Sequence, residues 1–263
     1  MSLSLASTWH PRGEGPRLLK LYPQLEAAYA ALVVTLPPGA DMSQVELLNE
    51  LPNTRFILSE DWALGRHLAL REALEYPCSH VQYADLDRLI RWVETRPHEW
   101  RETLDQIREA DCTVIGRTAQ AWSTHPQAML QTEKLFNLIF SHLLGQSMDI
   151  GAGSKGFSRA AAEFLVANSR LNRAIGSDAE WPVLLHRAGF QVKAVFVDGL
   201  DWETPDHHRD RAAEAQHQRE LAEEFDQSAF NWERRVQVAL EIVETGLAAL
   251  DQPLTNQGKE GDC

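Results

Sequence analysis

Short apolar runs alternate along the chain with segments whose apolar residues recur every three or four positions. "AALVVTL" (30–36) predicts a buried strand, stopped by Pro37-Pro38-Gly39. "SQVELLNEL" (43–51) predicts a helix with Ser43 near its cap. "TRFILSE" (54–60) reads as a second strand, and "GRHLALREALEY" (65–76) carries Leu68, Leu70 and Leu74 on a helical pattern. "HVQYADLD" (80–87), "DCTVIGRT" (111–118) and "QVKAVFVDG" (191–199) supply three more strands. Strands alternating with helices predict an α/β domain with a mostly parallel sheet, a sheet type that gathers ligands beyond the carboxyl ends of its strands.

After Thr204 the pattern changes to two helices. The second carries Trp232, Val236, Leu240, Val243, Leu247 and Leu250 at spacings of three and four, a stripe that predicts the face packed on the domain. A dimer-forming or membrane-surface helix is the other reading of that stripe. The ends read as loose: "HPRGEGPR" is rich in Pro, Gly and charge, and "DQPLTNQGKEGDC" has little to bury. The expected organisation is a partly flexible N-terminal extension over 1–25, an α/β domain over 26–203, a helical extension over 204–250 and a disordered tail over 251–263.

Composition narrows the function. With 44% hydrophobic and 24% charged residues the 263-residue chain reads as a soluble globular protein. A net charge of -13 argues against nucleic acid as the partner, although a single nucleotide needs only a local pocket. Cys78, Cys112 and Cys263 are too scattered for a disulfide framework or a zinc cluster, and read as reduced cytoplasmic thiols. No apolar stretch approaches the roughly 20 residues of a membrane span, and "MSLSLASTWHPRGEGPR" lacks the apolar segment of a signal peptide. A cytoplasmic location is expected, with a peripheral membrane role left open.

Asp85-Leu86-Asp87 stands at the carboxyl end of a predicted strand. Alternation on a strand would turn both carboxylates to one side. Hard cations choose carboxylates together with phosphate oxygens, and a metal held so can neutralise a diphosphate leaving group. The same residues also read as an Asp cap on a helix starting near Leu86. "GAGSKGFSR" places Gly151, Gly153 and Gly156 close together, with Lys155 and Arg159 among them. Such backbone can approach a ligand closely and offer N–H groups to an anion, or can simply turn tightly before a helix. It does not match the phosphate-loop pattern of nucleoside triphosphatases.

The order of these segments, from about Ala30 to Trp202, resembles the nucleotide-binding half of GT-A glycosyltransferases, in particular those related to dolichyl-phosphate mannose synthase. Gly65, Arg66 and Ala69 match a Gly-Lys-x-x-Ala element, with Arg in place of Lys. Gly116 and Arg117 match a strand-ending Gly-x-Arg element, and Asp149, Gly151, Gly153, Gly156 and Arg159 an acceptor-side segment. "SDAEW" matches the acidic helix start, with Asp178 and Glu180 as its carboxylates. The resemblance implies a Rossmann-like, mostly parallel sheet flanked by helices. It implies a metal-dependent transfer of a sugar from a UDP- or GDP-linked donor to a small-molecule or lipid-linked hydroxyl acceptor.

Residue by residue, it assigns Mg²⁺ or Mn²⁺ to Asp85 and Asp87, and a further metal ligand to His207 or His208. Adjacent histidines on a helix point apart, so at most one serves. Arg66 would meet a phosphate, Gly151, Gly153 and Lys155 the donor or acceptor, and Asp178 or Glu180 would be the general base. "SDAEW" also reads as a capping box, Ser177 with Glu180. The chain departs from the pattern in the roughly thirty residues before "AALVVTL" and in the loop "TLPPGAD", where Thr35 and Asp41 are the candidates for nucleotide contact. A sugar-phosphate nucleotidyltransferase is a weaker reading, because "TLPPGADMSQ" has no Lys or Arg. A non-catalytic relative that binds through its C-terminal helices, and a homodimer, are the other expectations carried forward.

Overall fold

The computed structural model describes residues 2–46, 48, 50–170 and 175–255. In chain order its elements are β1 (Leu3–Thr8), α1 (Gly15–Ala28), β2 (Ala31–Leu36), α2 (Met42–Glu46), β3 (Thr54–Leu58) and α3 (Gly65–Ala73). Then come β4 (His80–Asp85), α4 (Leu86–Thr95), α5 (Pro97–Ile107), β5 (Cys112–Arg117), α6 (Ala119–Trp122) and α7 (Gln127–Leu143). The last are β6 (Ser154–Ser158), α8 (Arg159–Asn168), α9 (Ser177–Arg187), β7 (Val192–Val197), α10 (Ala215–Asp226) and α11 (Ala229–Asp251).

The seven strands form one sheet in the order β3-β2-β1-β4-β6-β5-β7. Only β6 runs antiparallel to its neighbours, β4 and β5. Helices cover both faces. Leu18, Leu25, Leu89, Trp92 and Trp100 pack one side, and Leu70, Phe136, Phe140, Leu165 and Trp181 the other.

Within the expected extension over 1–25, the described residues 2–25 belong to the sheet domain. β1 pairs in parallel with β2 on one side and β4 on the other, at the centre of the sheet. Its sequence hides this because two of its six residues are serines, Ser4 and Ser7, both fully buried. Ser7 Oγ satisfies itself by donating to the Ala84 carbonyl at 2.6 Å, as a buried hydroxyl must. "EGPRLLKLYPQL" follows as α1, opened by Pro16 in its first turn, where a missing N–H costs nothing. Arg17 on this helix is buried and ion-paired to Glu94 at 2.6 Å and Asp206 at 3.0 Å. The five strands read from apolar runs are β2, β3, β4, β5 and β7; β6 is the second strand that composition conceals. Of the helix expected over 43–51, residues 43–46 lie in α2, and residues 47 and 49 lie outside the described residues.

The helices after 204 are not an appendage. Ala239, Ile242 and Ala249 of α11 share one apolar core with Val81, Val114 and Phe157 of the sheet. The packed face of α11 overlaps the predicted stripe only in part: Ala239, Ile242, Gly246 and Ala249 are buried and Val243 and Leu250 pack against them, while Val236 and Leu240 are each 56% exposed. Close approach decides this. A Cβ on Gly246 would lie 2.3 Å from Phe140, so a glycine is needed where α11 passes closest to α7, and Val236, Leu240 and Leu247 point outward.

Residues just past α11 are pinned rather than loose. Thr255 N donates to Asn168 Oδ1 at 2.6 Å, and Arg187 donates to the Gln252 carbonyl at 2.9 Å. The remainder of the expected tail, from 256, lies outside the described residues. Among the described residues no helix is long and apolar enough to cross a membrane.

Candidate active site

The carboxyl ends of β1, β2 and β4 open onto a cavity of about 240 Å³. β1 delivers Thr8 and the following Trp9, His10 and Arg12; β2 delivers Thr35 and Pro37; β4 and the start of α4 deliver Asp85, Asp87 and Arg88. The opposite wall comes from Glu133 and Phe136 of α7, Asp178 of α9, Glu203, and Arg235, Val238 and Ile242 of α11. Trp62, on a short 3-10 turn capped by Asp61, stands at the edge with half its surface exposed, 6.2 Å from the His10 ring.

Asp85 ends β4 and occupies the N-cap position of α4, yet its carboxylate makes no cap bond. It accepts instead from Tyr83 Oη at 2.7 Å, Thr8 Oγ1 at 3.2 Å and Arg66 Nη2 at 3.3 Å. Asp87 belongs to the first turn of α4, so the two aspartates reach the cavity from a strand end and a helix start rather than by alternation on a strand. Burial pushes the Asp87 carboxyl up to about 7, reinforced by the charges of Glu203 and Asp85. Three acids therefore share one side of the cavity, compensated by Arg66, 3.3 Å from Asp85, and by Arg88, whose Nε lies 3.6 Å from Glu203 and 3.9 Å from Asp85. A divalent cation would relieve that surplus, and the donor set is the carboxylate oxygen that Mg²⁺ and Mn²⁺ choose.

His207 and His208 do not join this pair. His207 Nε2 lies 3.4 Å from Arg12 Nη1 and 3.9 Å from Glu14. His208 has a left-handed φ of 57°, its N–H donates to the Arg12 carbonyl at 2.7 Å, and it sits against Gly13. Both are absorbed in tying the 9–14 loop to the 203–209 segment. Among the described residues no three His, Cys, Asp or Glu side chains converge tightly enough to hold a metal by themselves. Phosphate oxygens and water would have to complete the coordination. Glu203, missed in the sequence, is the acid this region turns toward the pair.

Arg66 reaches across the cavity from α3. It lies 2.9 Å from Asp178 and 3.3 Å from Asp85, with its guanidinium 5.3 Å from the centre of the Tyr83 ring. Burial works against its charge, but Asp178 and Asp85 outweigh it and hold the guanidinium ionised. The same balance governs Asp178: burial opposes its charge, yet Arg66 and Lys155 hold its carboxyl down at about 2. A carboxylate that acidic is a poor proton acceptor near neutral pH.

Glu180 is not on the cavity wall. Residues two apart on a helix point about 200° apart, so Asp178 and Glu180 face different surroundings. Glu180 accepts from Ser169 Oγ at 2.6 Å and Arg170 N at 2.8 Å. The capping box is not formed either: α9 starts at Ser177 behind Gly176, without a side-chain cap.

In the glycine-rich segment, Gly151 lines the cavity. Gly153 has φ +68°, and a Cβ there would lie 2.3 Å from Asp85 Oδ2. Its carbonyl accepts the Asp85 N–H at 3.0 Å, so it seats Asp85 rather than a phosphate. Lys155 is buried on β6, its Nζ 2.7 Å from Asp178 and 3.0 Å from the Ile150 carbonyl. Behind the wall, Arg117 is fully buried between Asp149 at 2.7 Å and Glu133 at 2.6 Å. Thr35 lines the cavity and donates to the Gly65 carbonyl at 2.9 Å; Asp41 caps Ser43 at 3.1 Å and is not among the lining residues.

No family model matches the chain, and no curated protein does. Solved structures match in fold. Glucosyl-3-phosphoglycerate synthase of M. tuberculosis superposes with a TM-score of 0.57 at 14% identity, covering 96% of this chain and 81% of that one. The same synthase in complex with Mn²⁺, UDP-glucose and phosphoglyceric acid gives 0.53 at 13% identity, covering 96% and 80%. A mycobacterial protein gives 0.60 at 13% identity, covering 96% and 76%.

The fold is of the GT-A type. In that frame β1, β2 and β4 form the half of the sheet whose carboxyl ends make the cavity, and β6 is the antiparallel strand beyond it.

Proposed function

We propose that this chain is a metal-dependent glycosyltransferase that takes a sugar from a nucleotide donor. The observation that carries the reading is the placement of Asp85 and Asp87 on the cavity wall at the carboxyl end of β4, beside Arg66, Arg88 and Glu203. Asp85 and Asp87 would hold Mg²⁺ or Mn²⁺, and the ion would supply the charge that stabilises a departing diphosphate. Arg66 and Arg88 lie where the remaining phosphate charge falls, and guanidinium matches phosphate oxygens. Solved structures of the same fold carrying Mn²⁺ and UDP-glucose support the donor class. Placement beside dolichyl-phosphate mannose synthase rests on the Gly65–Ala69 and Gly151–Arg159 elements alone.

The donor nucleoside has a surface at Thr35, Pro37, Ser59 and Trp62, with the exposed indole as a stacking face for a base. Asp178 acts as an anchor. It fixes Arg66 and Lys155, so that Arg66 keeps one orientation toward Asp85 and the phosphates. Glu180 holds the Ser169 hydroxyl and the Arg170 backbone N–H. A cytoplasmic location is read from Cys78 and Cys112, both free and buried. A homodimer would use the exposed apolar residues of α7 and α11, Leu138 and Leu240 among them.

The test is a screen of UDP- and GDP-sugars for donor hydrolysis, with Mn²⁺, Mg²⁺ or a chelator present. Metal-dependent release of the nucleoside diphosphate is the expected outcome. Binding of the donor without any turnover would favour the non-catalytic reading instead.

A further inference from the structure

Asp85 stands between two arginines, and each of them has a nearer acid. Arg66 lies 2.9 Å from Asp178 and 3.3 Å from Asp85. Arg88 Nε lies 3.6 Å from Glu203 and 3.9 Å from Asp85. The electrostatic order agrees with the distances. Burial opposes the charge of both guanidinium groups; Asp178 and then Asp85 offset it at Arg66, and Glu203 and then Asp85 offset it at Arg88. The five side chains are at most 19% exposed, so water screens these attractions weakly.

The share of Arg88 that Asp85 receives matters for a cation. A carboxylate fully paired with a guanidinium has its oxygens occupied and its charge cancelled. Among the described residues Arg88 Nε is buried without a hydrogen-bond acceptor, so neither acid has captured it. Its Nη1 is held on the far side by the Ala152 carbonyl at 2.6 Å.

Glu203 is fastened to the helix that carries Arg88. Arg91 follows Arg88 by one turn on the same side of α4. It donates to Asp201 at 2.7 and 2.8 Å and to Asp206 at 2.7 Å, the residues that flank Glu203. Between them Trp202 is buried, its N–H donating to Thr124 Oγ1 at 2.9 Å and its carbonyl accepting from Gln218 at 2.7 Å. The turn bearing Glu203 therefore keeps its spacing from Arg88.

We propose that Glu203 is a positioning residue: it draws Arg88 off Asp85 and leaves the Asp85 carboxylate open to a divalent cation. This rests on the reading of Asp85 as a metal ligand in a glycosyltransferase. Glu203 acts through Arg88 and does not touch the metal.

Two mutant cycles on the full chain test it. The first reads the affinity for Mn²⁺ together with UDP or GDP in the wild type, Glu203→Gln, Arg88→Met and the double variant. Glu203→Gln lowers the affinity about ten-fold or more, the usual loss when a group that orients a metal ligand is removed. In the Arg88→Met background the same change lowers it by less than about two-fold, because the arginine it restrains is gone. An equal drop in both backgrounds overturns the proposal, since Glu203 then acts on the metal without Arg88; so does full affinity in Glu203→Gln.

The second cycle needs no metal. Urea unfolding of Arg88→Met, Asp85→Asn and their double variant gives the coupling of Arg88 with Asp85, measured with Glu203 and again with Gln at that position. The coupling grows when Glu203 is replaced, because Arg88 turns to Asp85. A purely structural Glu203 lowers stability and leaves the coupling unchanged, which overturns the proposal. Coupling that grows, in a protein that binds neither Mn²⁺ nor nucleotide, sinks the transferase reading and leaves the competition for Arg88 standing.

Discussion

Arg66 of α3 and Asp178 of α9 meet at 2.9 Å across the mouth of the cavity. The contact ties the donor-side helix to the helix that packs on α11. Removing the negative partner leaves Arg66 and Lys155 buried with less compensation. Asp178→Asn is therefore expected to destabilise the protein by about 3–5 kcal/mol, the usual cost of breaking a buried pair, read by urea unfolding. The Asp178 carboxyl is depressed, so its contribution is fully present above the unfolded value near 4 and is lost as pH falls toward about 2. The stability gap between the wild type and Asp178→Asn should accordingly close between pH 4 and pH 2.

Gly153 and Asp85 make a second rigid contact. Gly153→Ala forces a side chain into φ +68° and toward Asp85 Oδ2. A loss of about 1–3 kcal/mol is expected from strain, together with weaker metal-dependent nucleotide binding because Asp85 must move. Unchanged nucleotide affinity in a folded Gly153→Ala protein would show that Asp85 is not where binding happens.

Asp87 is held among like charges in the free protein. Asp87→Asn should raise the melting temperature of the metal-free protein while removing its response to Mn²⁺ and nucleotide, a trade of function for stability. A melting temperature that drops without recovery would contradict the account of crowded acids at Asp85, Asp87 and Glu203.

The packing face of α11 can be checked with a pair of substitutions. Gly246→Ala is expected to cost about 1–3 kcal/mol through overpacking against Phe140. Leu247→Ala, at an exposed position, should stay within about 0.5 kcal/mol. The reverse ranking would restore the large apolar stripe as the buried one.

Much of this molecule is legible along the chain, and the failures share a cause. β2 and β5 announce themselves because they are buried on both faces and carry Leu32, Val33, Val34, Val114 and Ile115 in short apolar runs, whereas β4 is marked mainly by its place before the Asp85 and Asp87 pair. β1 is equally buried but fills its space with serine and alanine, and β6 carries Lys155 and Gly156 inward, so neither shows an apolar run. α11 misleads in part for a related reason: close helix packing selects Ala239, Gly246 and Ala249 alongside Ile242, and several large apolar residues, Val236, Leu240 and Leu247, face outward. Asp85 and Asp87 are readable because position and spacing are local. Glu203 and Arg235 enter the cavity from more than a hundred residues away, through contacts that no local pattern encodes, and the two histidines beside Glu203 drew the metal assignment to side chains that fasten a loop.

The central claim is that Asp85 and Asp87 bind a nucleoside diphosphate through a divalent cation. Isothermal titration of UDP and of GDP, with Mn²⁺ and then with a chelator, tests it directly on the wild type and on Asp85→Asn. The account predicts that at least one nucleotide binds with Mn²⁺, that affinity falls about ten-fold or more in chelator, as expected when a bridging charge is lost, and that Asp85→Asn binds weakly with or without metal. Equal affinity in Mn²⁺ and chelator, preserved in Asp85→Asn, would contradict it.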